Sequence, residues 1–118
     1  LLIGAFLNID SLANRIINLD EDLLIVCAGW KGRFNLEDTL FAGALAHRLI
    51  DRLSIEDDAT LAALSLYQTA KADMHGFLET SSHVQRLNKL NIHDDMKFCL
   101  QEGIYTEVPR LSNGYLVL

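Results

Sequence analysis

Proline is almost absent, with one residue, Pro109, in 118. Half of the sequence is hydrophobic, which argues against a disordered chain and for a packed core. Long apolar runs are missing too. No stretch approaches the roughly 20 residues that a membrane helix needs. Basic charge is scarce: ten Lys and Arg stand against 16 Asp and Glu, for a net charge of −6. Nucleic acids and anionic membranes are bound by clustered basic residues, so neither is an expected partner. A small anionic substrate would need a local positive patch or a metal. Cysteine is limited to Cys27 and Cys99. They lie far apart, and no zinc-ligand spacing exists. Both are expected to be buried thiols in a reducing, cytoplasmic compartment. The chain opens Leu1-Leu2-Ile3-Gly4, without Met or a charged segment. That is no signal peptide, and the start is expected to lie inside a strand, as in a fragment.

What is present suggests one compact domain over 1–118. Leu2 to Leu7 is a short, strand-like apolar run. Asp10 or Ser11 can cap a helix through Leu12, Ile16, Ile17 and Leu19. Leu23 to Ala28 is a continuous apolar run, as in a strand buried on both faces of a parallel sheet. A glycine-bearing loop, Trp30 to Phe34, leads to Asn35, with Asp38 three residues on in the manner of a capping box. The helix after it is expected from Leu36 to about Leu53, with Gly43 marking close packing. Another should run from Asp57-Asp58 to about Ala72, with Leu61, Leu64, Leu66 and Tyr67 inward. A short helical turn at His75 to Leu78 comes next. Ser81 or Ser82 can cap a helix that ends near Asn91, and His93 to Leu100 predicts one more. Tyr105 to Leu111 and Tyr115 to Leu118 flank Ser112-Asn113-Gly114, a hairpin signal. The predicted fold is α/β: a three-layer α/β/α arrangement with a mixed, partly parallel sheet, a right-handed crossover and a C-terminal hairpin. No internal repeat and no low-complexity segment is present.

Ligands of open α/β sheets bind beyond the carboxyl ends of the strands, which directs attention to the loop after Cys27. Gly29 and Gly32 would let the backbone approach a phosphate. Lys31 and Arg33 add positive charge, and the following helix start favours anions. A plain tight surface turn would need the same glycines. Glu37 and Asp38 suit a helix's first turn through dipole and capping alone. They equally suit Mg²⁺ binding or water positioning beside phosphate. Only one of them can face a given direction, since adjacent helix positions point about 100° apart. Cys27 and Arg33, five residues apart between them, match the spacing of thiolate phosphatases. Val26 and Phe34 depart from that pattern, and so do the glycines. Asn8, past the first strand, points into the same crevice or serves as a helix-entry residue. Of the four histidines, none pairs at metal-ligand spacing. His47 suits a boundary position. His83, beside Ser81-Ser82, is the most interesting, although a capped helix start accounts for it too. Asp94-Asp95 is a carboxylate pair near a helix start.

Three blocks carry a family resemblance: Leu24-Ile25-Val26-Cys27-Ala28-Gly29, then Gly32-Arg33-Phe34-Asn35-Leu36-Glu37-Asp38, then Ala42-Gly43-Ala44-Leu45. With Phe6-Leu7-Asn8 upstream, and Ser81, Leu87, Asp95, Cys99, Val108-Pro109 and Gly114 downstream, the chain resembles the C-terminal half of the 2-phosphosulfolactate phosphatases. Val84 and Asn91 stand where that family usually has glycine, Ala5 where it often has Ser, and Asn35 in place of a common Ser. The resemblance implies a Mg²⁺-dependent phosphoric monoester hydrolase that converts 2-phosphosulfolactate to 3-sulfolactate and phosphate, in coenzyme M or related sulfonate metabolism. It implies two domains with the substrate between them, this chain being the C-terminal one and the N-terminal half supplying further Asp and Arg residues. Carried over by position, Glu37 and Asp38 are the catalytic and metal-binding candidates. Gly29, Gly32 and Arg33 are the substrate-binding candidates, joined by Asn8. The open alternatives are a cysteine-dependent phosphatase using Cys27 and Arg33, and an anion-binding fragment that catalyses nothing alone. Monomer and homodimer both stay open.

Overall fold

A computed structural model describes residues 1–90 and 94–118. The expected helix end at Asn91 and the expected helix start at His93 lie outside the described residues. Helix α1, Ile9–Ile17, buries Ile9, Leu12, Ala13 and Ile16, the i, i+3, i+4, i+7 spacing of a core-facing stripe. It starts earlier than Asp10 or Ser11 would place it, following a single 3₁₀ turn at Phe6–Asn8. Helix α2, Leu36–Leu49, and helix α3, Asp58–Ala70, form the centre of the core. Gly43 permits their closeness. A Cβ there would fall inside van der Waals contact of the Ala63 carbonyl oxygen and 2.9 Å from Tyr67 Cβ. Helix α2 stops at Leu49, short of the expected Leu53, although Leu53 still packs on the core. Leu61 stays half exposed, so the inner face of α3 is Ala63, Leu64, Tyr67 and Ala70.

Caps punctuate the rest. The Asp57 carboxylate accepts from Thr60 N at 2.8 Å at the head of α3. Asp73 accepts from Gly76 N at 2.9 Å at the head of α4, Met74–Leu78. Ser81 Oγ accepts from Val84 N at 3.2 Å at the head of α5, Ser82–Lys89. Helix α6, Asp94–Cys99, follows. Arg48 ties the helices together. Its Nε donates to Asp10 at 2.6 Å and its Nη2 to Glu102 at 2.5 Å, while Tyr67 Oη donates to Glu102 at 3.2 Å. Burial alone would lower the Arg48 pKa, but its hydrogen bonds to Glu102 and Asp10 outweigh that and raise it.

The chain closes with strands β1, Arg110–Ser112, and β2, Tyr115–Val117, paired antiparallel with Ser112 opposite Tyr115. Asn113 and Gly114 have φ of +50° and +82°, the left-handed pair that a two-residue hairpin turn requires. The strands are shorter than expected, since residues 105–109 join no ladder. The first residues lie against this region. Ile3 N donates to Pro109 O at 2.8 Å and Leu111 N to Leu1 O at 3.0 Å, leaving one antiparallel bridge, Leu2 to Arg110, where a strand over 2–7 was expected.

The run 23–28 is neither strand nor helix. Leu24 is 83% exposed and Val26 77%. A strand buried on both faces needs hydrogen-bonded neighbours at its edges and layers above and below. Among the described residues nothing pairs with this run through backbone hydrogen bonds. The sheet observed is therefore two-stranded and antiparallel, with no parallel pair among the described residues. Both cysteines are exposed, contrary to expectation. Cys27 sits on that unpaired run, and Cys99 lies with it on the wall of an open groove.

Candidate active site

The loop after Cys27 is a closed turn. Trp30 N donates to Arg33 O and Arg33 N to Trp30 O, each at 3.0 Å. Lys31 and Gly32 between them have φ of +51° and +71°. Gly29 also lies in the left-handed region at +65°, where a Cβ would come 2.5 Å from the Arg33 carbonyl oxygen. Its N–H donates to Asp38 Oδ2 at 2.6 Å. Asp38 therefore does not close a capping box with Asn35, which makes no side-chain cap bond. It anchors the loop to the first turn of α2 instead. The amide of Gly29 is taken by Asp38, and those of Trp30 and Arg33 are used inside the loop. An anion here would meet the N–H groups of Lys31 and Gly32 and the cationic side chains.

One helical position earlier, Glu37 turns elsewhere. Both of its carboxylate oxygens are closed off from solvent and lack a hydrogen-bond donor. His83 Nδ1 lies 3.1 Å from Oε1. That nitrogen also lies 3.0 Å from Arg86 Nη2. It can accept from Arg86 or carry a proton for Glu37, but not both. While it accepts from Arg86, the carboxylate has no donor. A buried carboxylate in that state is costly unless a proton donor or a cation reaches it. Glu37 and Asp38 are among the residues that line a groove of about 870 Å³, as are Cys27, His83 and Asp95.

On the other side of the loop lies a pocket of about 410 Å³ lined by Trp30, Lys31, Arg33, Asn35, Ser82 and Arg86, with Phe34 at its edge. Arg33 belongs to this pocket and Cys27 to the groove, so the Cys-x5-Arg spacing does not put both side chains in one cavity. Cys27 Sγ contacts Asp38 O at 3.5 Å. Although the residue is largely exposed, partial desolvation of its thiol, and then the Asp38 charge, push its pKa up, opposite to what a thiolate nucleophile needs. Asn8 lines neither cavity. Its Oδ1 accepts from Ala5 N at 2.9 Å, and its Nδ2 donates to Glu107 O at 2.9 Å and Ile3 O at 3.3 Å. That side chain is a tie between the start of the chain and residue 107.

The family model described as 2-phosphosulpholactate phosphatase matches residues 1–114. The chain belongs to the 2-phosphosulfolactate phosphatase family. A probable 2-phosphosulfolactate phosphatase of Clostridium kluyveri is 34% identical over 117 residues, 98% of this chain and 48% of that protein. One of Thermotoga maritima is 36% identical over 118 residues, 100% of this chain and 51% of that protein. A third, of a Cyanothece species, is 41% identical over 95 residues, 75% of this chain and 39% of that protein. The chain thus spans about half the length, or less, of these curated relatives.

The magnesium ion implied by resemblance to the phosphosulfolactate phosphatases can be tested against the residues. The unpartnered Glu37 carboxylate fits a hard cation. Among the described residues, no three His, Cys, Asp or Glu stand together as a metal cluster. Magnesium commonly takes one or two carboxylates and completes its octahedron with substrate phosphate and water, so one free carboxylate suits it. Sequence reasoning reached Glu37, Asp38, the glycines and Arg33. It missed Arg86 and the placing of Trp30 between cations. Arg86 follows His83 by three positions on α5, a spacing at which helical side chains meet; that was the available signal.

Proposed function

We propose that the intact protein is a Mg²⁺-dependent phosphatase that hydrolyses 2-phosphosulfolactate to 3-sulfolactate and phosphate in the cytoplasm. Water attacks phosphorus, the P–O bond to the carbon skeleton breaks, and the departing oxygen takes a proton. The observation that carries the reading is the buried, unpartnered Glu37 carboxylate lining the groove. Glu37 is assigned the metal and the positioning of water, with His83 adjusting its hydrogen bonding. When bound, magnesium would neutralise phosphate charge, the main requirement of phosphoryl transfer. Asp38, named with Glu37 as a metal candidate, holds the loop through Gly29 N. Gly29 and Gly32 shape the turn, Arg33 meets a substrate oxyanion, and Asn8 braces the scaffold. Substrate class and place in sulfonate metabolism follow the family membership.

The fuller architecture belongs to the same proposal. Residues of the runs 1–5 and 23–28 both line the groove. In the intact protein they become strands of the three-layer, partly parallel sheet, completed by polypeptide equivalent to the remaining half of the relatives. That half supplies further Asp and Arg residues across the crevice, and assembly as a homodimer is compatible with it.

Phosphate release from 2-phosphosulfolactate by the intact protein tests this, with Mg²⁺ and with EDTA, for wild type and Cys27→Ser. Turnover that needs Mg²⁺ and survives Cys27→Ser is expected. Turnover indifferent to EDTA and lost in Cys27→Ser would hand the reaction to the thiol.

A further inference from the structure

The acidic balance of the chain makes one place anomalous. Three of its ten basic residues, Lys31, Arg33 and Arg86, line a single pocket of about 410 Å³ in which no carboxylate takes part. The pocket is built around a ring. Lys31 Nζ lies 5.7 Å and Arg86 Cζ 5.1 Å from the centroid of Trp30, within the range of cation–π attraction. Arg86 is held a second time by His83 Nδ1 at 3.0 Å. Lys31 is carried on the tight turn at φ +51°. Ser82 opens α5, whose N-terminus adds partial positive charge to the same wall. Three cations face one pocket whose lining holds no carboxylate, an arrangement that suits an oxyanion.

We infer that this pocket binds the second acid group of the substrate, a sulfonate or carboxylate carried a few bonds from the phosphate, and that Lys31, Arg86 and Trp30 are its specificity residues. The inference rests on the phosphatase reading for the identity of the ligand. Two cavities then divide the substrate: the groove, at Glu37, takes phosphate with its cation, and the Trp30 pocket takes the other acid. The glycine turn separates them, and His83 touches both, through Glu37 on one side and Arg86 on the other.

Trp30 is the single tryptophan of this chain, and it reports the event directly. The intact protein is titrated with methanesulfonate, acetate and inorganic phosphate while tryptophan fluorescence is read, with Trp30→Phe as the blank. A saturable change with methanesulfonate or acetate is expected. It should vanish in Trp30→Phe and need roughly tenfold more anion in Arg86→Ala, the loss of one charge-assisted hydrogen bond. Lys31→Asn, which tolerates the left-handed backbone, should act in the same direction, guarding against a folding defect in the arginine variant. The stronger of the two ligands says which acid the pocket takes. No saturable change, or one untouched by both substitutions, overturns the inference. Anion binding without phosphate release in the turnover assay would overturn the phosphatase reading while leaving the pocket as an oxyanion site. Turnover with a silent Trp30 would do the reverse.

Discussion

Two adjacent carboxylates carry different work because a helix separates them by about 100°. Asp38 holds the Gly29 amide, whereas Glu37 lies buried against His83. The sequence named both residues, and both line the groove. The turn geometry separates them by partner, since the Gly29 N–H takes Asp38. Gly29→Ala should therefore cost about 1–3 kcal/mol of stability, since its backbone is left-handed and its Cβ meets the Arg33 carbonyl; denaturant unfolding measures it, and an unchanged midpoint would contradict the turn described. Cys27 makes a second residue-scale prediction. Its pKa is raised by partial desolvation and by the Asp38 charge, so the thiolate forms only above the usual range. Iodoacetamide should alkylate it more slowly than a free model thiol at neutral pH, with the rate still climbing at alkaline pH. Fast alkylation at neutral pH would reopen the thiolate reading.

At the scale of elements, the helices were the legible part. Their caps and stripes are local, so Asp57, Ser81 and the Asn113-Gly114 turn could be placed from spacing alone. Strands were not legible in the same way, because a strand exists only with a neighbour. Residues 23–28 have every local mark of a buried strand and no partner among the described residues. The capping box failed for a related reason: Asp38 had a distant donor, Gly29 N, that outcompeted the local one. Gly43→Ala should destabilise the α2–α3 contact by about 1–3 kcal/mol or more through overpacking against the Ala63 backbone, read as a lowered unfolding midpoint. Asp57 caps α3 through Thr60, and its pKa is lowered first by the Thr60 hydroxyl bond and then by the Thr60 amide. A lowered folded-state value means the cap's stabilisation is present above the ordinary Asp pKa and fades as pH falls through the folded one. Asp57→Asn should flatten that acid-side loss in unfolding measured against pH; an unaltered acid slope would remove Asp57 from it.

For the whole molecule, a well-packed helical centre contrasts with an apolar groove whose walls include Leu24, exposed at 83%. Monomeric proteins seldom leave so much contiguous apolar surface uncovered. Expressed alone, residues 1–118 should bind the dye ANS at this groove, and the intact protein should not. Equal dye binding by both would mean that nothing covers it. Among the described residues no helix is long and apolar enough to cross a membrane. The composition argued against nucleic acid as a partner. It gave no sign of how the charges divide, with Glu37 and Asp38 lining the groove and three cations lining the separate Trp30 pocket. That division comes from α5 reaching back to α2 and to Trp30, a contact between residues far apart in the chain.

On the proposed reading, Glu37 and not Asp38 would hold the metal. Comparing Glu37→Gln and Asp38→Asn in the intact protein, for Mg²⁺ affinity by calorimetry and for phosphate release at saturating Mg²⁺, tests it most directly. Glu37→Gln should lose Mg²⁺ binding and slow turnover at least 100-fold, about 2.7 kcal/mol of barrier. Asp38→Asn should keep Mg²⁺ binding and lose activity only as the glycine turn loosens. Metal binding retained in Glu37→Gln and lost in Asp38→Asn would contradict it.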